Sequence, residues 1–404
     1  MQPVLLKPGI HWVGAVDFNL RNFHHYSRSP EGSTYNAYLI QDEKTVLVDT
    51  VSHHYFDVLA DHISALVDPR KVDYIICNHL EQDHSGVLPR IVELCKPEKI
   101  FCSTMGLKSI TRQFNTEGWP IVAVKDGERL NIGKRNITFL ETRMLHWPDS
   151  MVSYVEEDRV LFSNDAFGQN VATSRRFVDE YERPLLLRAM KDYYNNIVLP
   201  YSPMVIKTLD RVAQLGIPID IIAPDHGLIF RTPEDVKFVL DSYRAFAEQK
   251  PKLRAVVAYE SMWGATESMA YAVGDGLDDE GVPYVLLDMQ HNHVSAVMNE
   301  LADSGALILG SATRNNMPMV NMMALMAHVK GLKPQNLVGA TFGAHGWSGE
   351  APKMMAEELA AMKVEVVGEP VRAHFGAKSE ELAACRELGA AVARALKEKV
   401  KASA

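Results

Sequence analysis

Cysteine is scarce in this chain: four in 404 residues, at Cys77, Cys95, Cys102 and Cys385. No two form a C-x-x-C pair, which excludes a four-cysteine zinc or iron module and a cysteine-ligated iron–sulfur cluster. The thiols read as small buried hydrophobes rather than as a disulfide framework. Basic residues do not predominate either. Lys and Arg number 42 against 51 Asp and Glu, a net charge of −9, and they form no stripe. Nucleic acid and anionic membranes are therefore not expected partners. No apolar run is long enough to span a bilayer. The start, "MQPVLLKPGIHWVG", lacks the basic start and long apolar stretch of a signal peptide, so the expected location is the cytoplasm. A G-x-G-x-x-G dinucleotide fingerprint is missing too, so direct use of a nicotinamide cofactor is not expected.

What is present divides into two rhythms. The first half mixes hairpins and helices. "YNAYLIQDEKTVLVDT" reads as two strands around a turn at Asp42–Lys44, and "MVSYVEEDRVLFSND" repeats the pattern around Glu156–Arg159. From Leu253 the rhythm becomes strand, helix, strand. "LRAVVAYES", "VPYVLLDM", "GALILGS", "NLVGATFG" and "VEVVG" are continuous apolar runs, as expected of strands buried on both faces. Helical stretches separate them at about 268–280, 294–303, 320–329, 352–362 and 379–399. This predicts a doubly wound parallel α/β domain. The polar stretch "AEQKPKLR" (Ala247 to Arg254) is the expected joint, giving domains 1–250 and 251–404.

In the first half, "ICNHLEQDHSG" holds His79, Glu81, Asp83 and His84 at the end of the strand "VDYIIC". Taken singly, a His–Glu pair reads as a solvated loop. Three more candidates recur in the same setting, however. His146 follows "ITFLETRML", Asp165 ends "RVLFSND", and His226 ends "IDIIAPD". Each stands just past an apolar strand, so all can converge on one rim as a metal site. In the second half, "AYESMWGATESMA" follows the first strand and opens a helix, the position of a phosphate loop. Hydroxyls at Ser261 and Thr266, with Gly264 between them, favour a mononucleotide over a dinucleotide.

"NHLEQDHSG", "LHWPDS", "FSNDAFG" and "APDHG" resemble the signature loops of the metallo-β-lactamase superfamily, over roughly residues 1–250. The hydrolase branch reads H-x-H-x-D-H. Glu81 in the second position resembles instead the flavodiiron branch, whose members carry a flavodoxin-like domain after the metal domain. The resemblance covers the whole chain and is nearest to the type without a further fused domain. It implies an α/β protein, a metallo-β-lactamase-like αββα sandwich followed by a flavodoxin-like doubly wound parallel sheet. It also implies two cofactors, a non-haem diiron centre and FMN.

By this resemblance His79, Glu81 and His146 bind one iron, Asp83 and His226 the other, and Asp165 bridges them. His84 stays open: its position is a ligand in the hydrolases but can turn away in flavodiiron proteins. Carboxylate and imidazole suit iron, and three carboxylates offset most of the charge of two ferrous ions. "FHHY" and "DYYNN" make His24, Tyr193 and Tyr194 candidates for the open face of the irons, each with a structural role as the plain alternative. Flavin contacts are expected from Glu260, Ser261, Met262, Trp263, Gly264, Ala265 and Thr266. Further contacts are expected from Ser311, Ala312, Thr313 and Asn315 in "GSATRNNMP", and from Ala344, His345, Gly346 and Trp347 in "FGAHGWSGEA".

The implied reaction is reduction of dioxygen to water, or of nitric oxide to nitrous oxide. Electrons would come from a separate rubredoxin-like protein. The implied assembly is a head-to-tail homodimer or a dimer of dimers. Two other readings remain: a dizinc hydrolase with an accessory flavodoxin-like module, and an electron carrier whose metal only stabilises the fold.

Overall fold

A computed structural model describes residues 2–403. It contains two compact units.

The first unit comprises the chain up to His24, Ser29–Tyr194 and Tyr201–Ala247. Seven strands form one sheet in the order Val4–Lys7, Ile10–Trp12, Tyr38–Gln41, Thr45–Val48, Val72–Cys77, Lys99–Ser103 and Ile121–Val124. Five form another: Arg129–Asn131, Asn136–Glu141, Met151–Val155, Val160–Phe162 and Ile221–Ala223. Side chains alternate across a strand, and here the alternation sorts them into two cores. Val46, Val48, Tyr74, Ile76 and Phe101 meet Phe139, Met151 and Phe162 of the other sheet. Leu47, Ile75, Cys77, Ile100 and Cys102 point the opposite way. They pack against Leu59, Ile63, Ile91 and Ile110 of the helices Phe56–Leu66, Leu88–Cys95 and Thr104–Gln113. Helices Ser202–Leu215 and Pro233–Glu248 cover the outer face of the smaller sheet. The layers are α/β/β/α. Both expected hairpin turns fall between paired antiparallel strands.

The second unit comprises Glu248–Ala404 with the short segments His25–Arg28 and Asn195–Pro200. These segments are tied in by polar contacts. The Arg28 backbone N–H donates to Ser295 Oγ at 3.3 Å, and Asn196 Nδ2 donates to Asn299 Oδ1 at 2.9 Å. The sheet runs Tyr284–Asp288, Ala255–Glu260, Ala306–Ser311, Val338–His345, Glu365–Val366, every pair parallel. A sixth strand, Val371–His374, also pairs with Val338–His345. It is not among the five expected strands, because V-R-A-H has no continuous apolar run. The helix after the first strand starts at Ala265, three residues earlier than expected. Gly264 at φ 84° occupies the left-handed region and turns the chain directly into the helix.

Candidate functional site

Four strand-end loops of the first unit place the metal-ligand candidates. The strand Val72–Cys77 delivers the chain to Asn78, which is fully buried and locked. Its backbone N–H and Nδ2 donate to the Asp49 carboxylate at 2.7 and 2.8 Å. Leu80 is buried as an anchor, so His79 and Glu81 flank it on a fixed backbone. A short helix, Gln82–Ser85, then carries Asp83 and His84. Several residues near the ligand positions adopt left-handed backbone angles: His24 at φ 50°, Met144 at 65°, Asn164 at 45° and Phe167 at 70°. Such strain concentrates where side-chain placement matters more than local stability.

The structure brings all seven candidates together, in two groups: His79, Glu81, His146 and Asp165; and Asp83, His84 and His226. Asp165 joins them. Its Oδ2 lies 3.0 Å from His146 Nε2 and 3.4 Å from His79 Nε2. Its Oδ1 lies 3.0 Å from His84 Nε2 and 3.3 Å from His226 Nε2. Each oxygen of one carboxylate thus faces a different histidine pair. Glu81 Oε2 is 3.3 Å from both His79 and His146, and Asp83 Oδ2 is 3.2 Å from His226. His84 is fully inside the second group.

The electrostatics fit a cation site. Burial alone would push the Asp165 carboxyl up. The charge of His84, the hydrogen bond from His146 and the nearby His226 imidazole overcome that and hold it well below the usual carboxylate range. The same opposition holds Glu81 and Asp83 down. Conversely, burial would lower the His84 imidazole, but Asp83 and Asp165 push it up to about 9. His79, His146 and His226 are raised by their carboxylates in the same way. Both Asp83 oxygens, Asp165 Oδ1 and His226 Nε2 are buried with no hydrogen-bond partner, as expected of atoms whose natural partner is a cation. Two oxygen-and-nitrogen groups sharing one carboxylate fit a pair of borderline divalent ions, with no thiolate present.

The histidines are held from behind by residues the sequence did not single out. Asp149 Oδ2 is 3.3 Å from His79 Nδ1 and accepts the Leu80 N–H at 2.8 Å. Asp225 Oδ2 is 3.5 Å from His84 Nδ1, and the Thr34 carbonyl accepts from His226 Nδ1 at 2.7 Å. Asp149 and Asp225 stand inside the quoted loops "LHWPDS" and "APDHG", which was their only signal.

His24 Nε2 lies 3.1 Å from Glu81 Oε1 and 4.0 Å from Asp83 Oδ2, beside both groups. Tyr193 is fully buried, its ring 5.7 Å from that of His226. Burial, then the Asp165 carboxylate, push its phenol well up. Tyr194 has other neighbours: its hydroxyl pairs with Ser202 Oγ at 2.9 Å and its ring meets Tyr243 and Phe246.

The second unit holds a cleft of about 350 Å³ at the carboxyl edge of its sheet. Ser261, Met262, Trp263, Ala265 and Thr266 form one side, and Ala312, Thr313 and Asn315 another. Ala344, His345, Gly346 and Trp347 close it, with Arg314 and Phe375 added from outside the expected set. Ser261 Oγ accepts the Gly264 N–H at 3.1 Å, which shapes the loop. Thr266 Oγ1 is buried without a partner at the helix N-terminus, where an anion is favoured. Trp263 and Trp347 are 91 % and 85 % exposed, so neither packs into the fold and both faces are free to stack on a ligand. A planar, phosphate-bearing molecule fits this lining.

Glu260 and Ser311 are engaged within the protein. The Glu260 carboxylate accepts from the Met322 N–H at 2.9 Å and Asn321 Nδ2 at 3.0 Å, at the start of the helix Val320–Leu332. Ser311 Oγ donates to the Ala312 carbonyl and accepts the Met319 N–H.

Comparison with known proteins agrees with both halves. The family model described as "ODP family beta lactamase" matches residues 34–227, and that of flavodoxin matches 257–389. The rubredoxin-oxygen oxidoreductase of Megalodesulfovibrio gigas is 44 % identical over 402 residues, the full length of both chains. A nitric oxide reductase of Moorella thermoacetica is 41 % identical over 97 % of this chain and 98 % of its own. The crystal structure of the flavodiiron protein from Giardia intestinalis superposes with a TM-score of 0.95 at 31 % identity, covering 100 % of this chain and 99 % of that one. With a metallo-β-lactamase-like unit, a flavodoxin-like unit and full-length relatives of this kind, the chain belongs to the flavodiiron proteins.

Proposed function

We propose that the protein is an oxidoreductase that reduces dioxygen to water with electrons from a separate rubredoxin-like protein. When bound, two iron ions and FMN supply the redox chemistry, two electrons from each, which matches the four that dioxygen requires. His79, Glu81 and His146 would hold one ion, Asp83 and His226 the other with His84 beside it, and Asp165 both. The loop from Ser261 to Thr266 would hold the flavin phosphate, with Trp347 against the ring. His24 and Tyr193 would border the open face of the metals.

The observation that carries this reading is Glu81. A histidine there would leave two divalent ions with less compensating charge, as suits a Lewis-acidic hydrolase. A carboxylate within 3.3 Å of both His79 and His146 favours redox-active iron over hydrolysis. A second reading, reduction of nitric oxide by the same groups, is favoured by the likeness to the Moorella protein. Electron donor, iron, FMN and a head-to-tail dimer or dimer of dimers are all parts of the proposal. No helix among the described residues is long and apolar enough to cross a membrane.

Metal analysis, a visible spectrum and gas uptake on purified protein test this. Two irons and one FMN per chain, with rapid uptake of dioxygen or nitric oxide, are expected. Zinc without flavin absorbance would overturn the reading in favour of a hydrolase. Comparing the two gases side by side decides between the two reductase readings.

A further inference from the structure

The first unit contains an apolar cavity of about 50 Å³ that the proposed function does not use. It lies between the outer face of the five-stranded sheet, at Val152 and Leu161, and the helix Ser202–Leu215, at Leu209 and Val212. No polar atom contributes to its lining. The volume exceeds the ~10–15 Å³ that one water needs, yet a water inside would find no partner, so the cavity stays dry. Folded interiors retain few voids of this size, and each costs stability.

Its position gives it a use. At the inner end, the lining residues Leu145, Ala166 and Phe167 are chain neighbours of His146 and Asp165. Tyr243 also lines it. Its ring centroid is 4.6 Å from that of Phe167. Toward the outer end, Leu215 is 51 % exposed, so the apolar lining continues to solvent.

We infer that this cavity is a binding site for a small apolar gas, gathering the diatomic substrate next to the loops that carry His146 and Asp165. The inference rests on the reading of the protein as a gas reductase. A neutral diatomic loses almost nothing on leaving water, while water itself gains nothing by entering, so a dry pocket enriches the gas and excludes its competitor.

Xenon is the probe, because it enters dry apolar cavities without chemistry. Crystals of the holoprotein pressurised with xenon are expected to show a peak among Leu145, Val152, Leu209 and Tyr243. Val212→Phe, which fills the space from the helix, is expected to remove the peak. It should also raise the KM for the gas several-fold, with kcat, metal content and flavin content unchanged. Val205→Leu, a smaller filling, serves if the larger one disturbs folding. Gas uptake by the unaltered protein without a xenon peak overturns the inference and leaves the proposed function standing. A xenon peak removed by Val212→Phe with KM unchanged overturns the substrate role. Xenon binding in a protein that consumes neither gas overturns the proposed function, and the substrate role with it.

Discussion

Replacing Asp149 by Asn isolates one half of the proposed metal cluster. Asp149 is buried, and its Oδ2 serves both His79 Nδ1, at 3.3 Å, and the Leu80 N–H, at 2.8 Å. The amide oxygen of Asn can still accept from Leu80, so the loop keeps its shape. Its backbone carbonyl, which accepts from Ser103 Oγ, is untouched. What disappears is the negative charge behind His79. That charge fixes the tautomer and makes the opposite nitrogen a better donor to a cation. Losing such a partner typically weakens metal binding by about 10–100-fold, or about 1.4–2.7 kcal/mol. The loss should fall on one ion only, because Asp149 touches the His79, Glu81 and His146 group and not the other. Competitive chelator titration of the reconstituted protein reads this as one weakened ion of two, with flavin content unchanged. Asp225→Asn is the mirror experiment. It weakens the second ion if His84 is a ligand, since Asp225 stands 3.5 Å behind that histidine. Equal weakening of both ions by Asp149→Asn, or no weakening, would refute the division of the cluster.

Three further outcomes follow from the same geometry. Loading the metal-free protein at neutral pH should release protons, because His79, His84, His146 and His226 have raised pKa values and must lose protons to bind cations. Apparent affinity should therefore climb as pH rises from neutral, including through about 9, where His84 titrates; calorimetry in buffers of different ionisation enthalpy measures it, and zero proton release contradicts it. Glu260→Ala should destabilise the second unit by about 1–3 kcal/mol, because the Met322 N–H and Asn321 lose their acceptor; a denaturant midpoint unchanged from the parent would show the contact to be dispensable. Gly264→Ala places a side chain at φ 84° and should cost about 1–2 kcal/mol, read as weaker flavin retention on dialysis.

Much of the site was legible because its candidate loops each stand just past an apolar strand. His79, His146, Asp165 and His226 could be found by that rule alone, and their convergence follows from the sheets. Asp149 and Asp225 were visible but unreadable. In one dimension, nothing separates a carboxylate that steadies a histidine from one that binds a metal or faces water. What the sequence did not show for Glu260, expected at the flavin from its place in the phosphate-loop stretch, is where its carboxylate bonds within the protein: to Asn321 and Met322, some sixty residues onward. The strand Val371–His374 escaped because a short parallel strand with Arg and His in alternation carries no apolar run. The cavity beside Leu145 could not be read at all, since it is defined by what two helices and a sheet fail to fill.

Anomalous diffraction at the iron and zinc edges, on crystals of the protein as purified, decides whether Asp165 stands between two irons. Two iron peaks, one against each oxygen of Asp165, are predicted. A single peak, or two zinc peaks in the same places, would contradict the account.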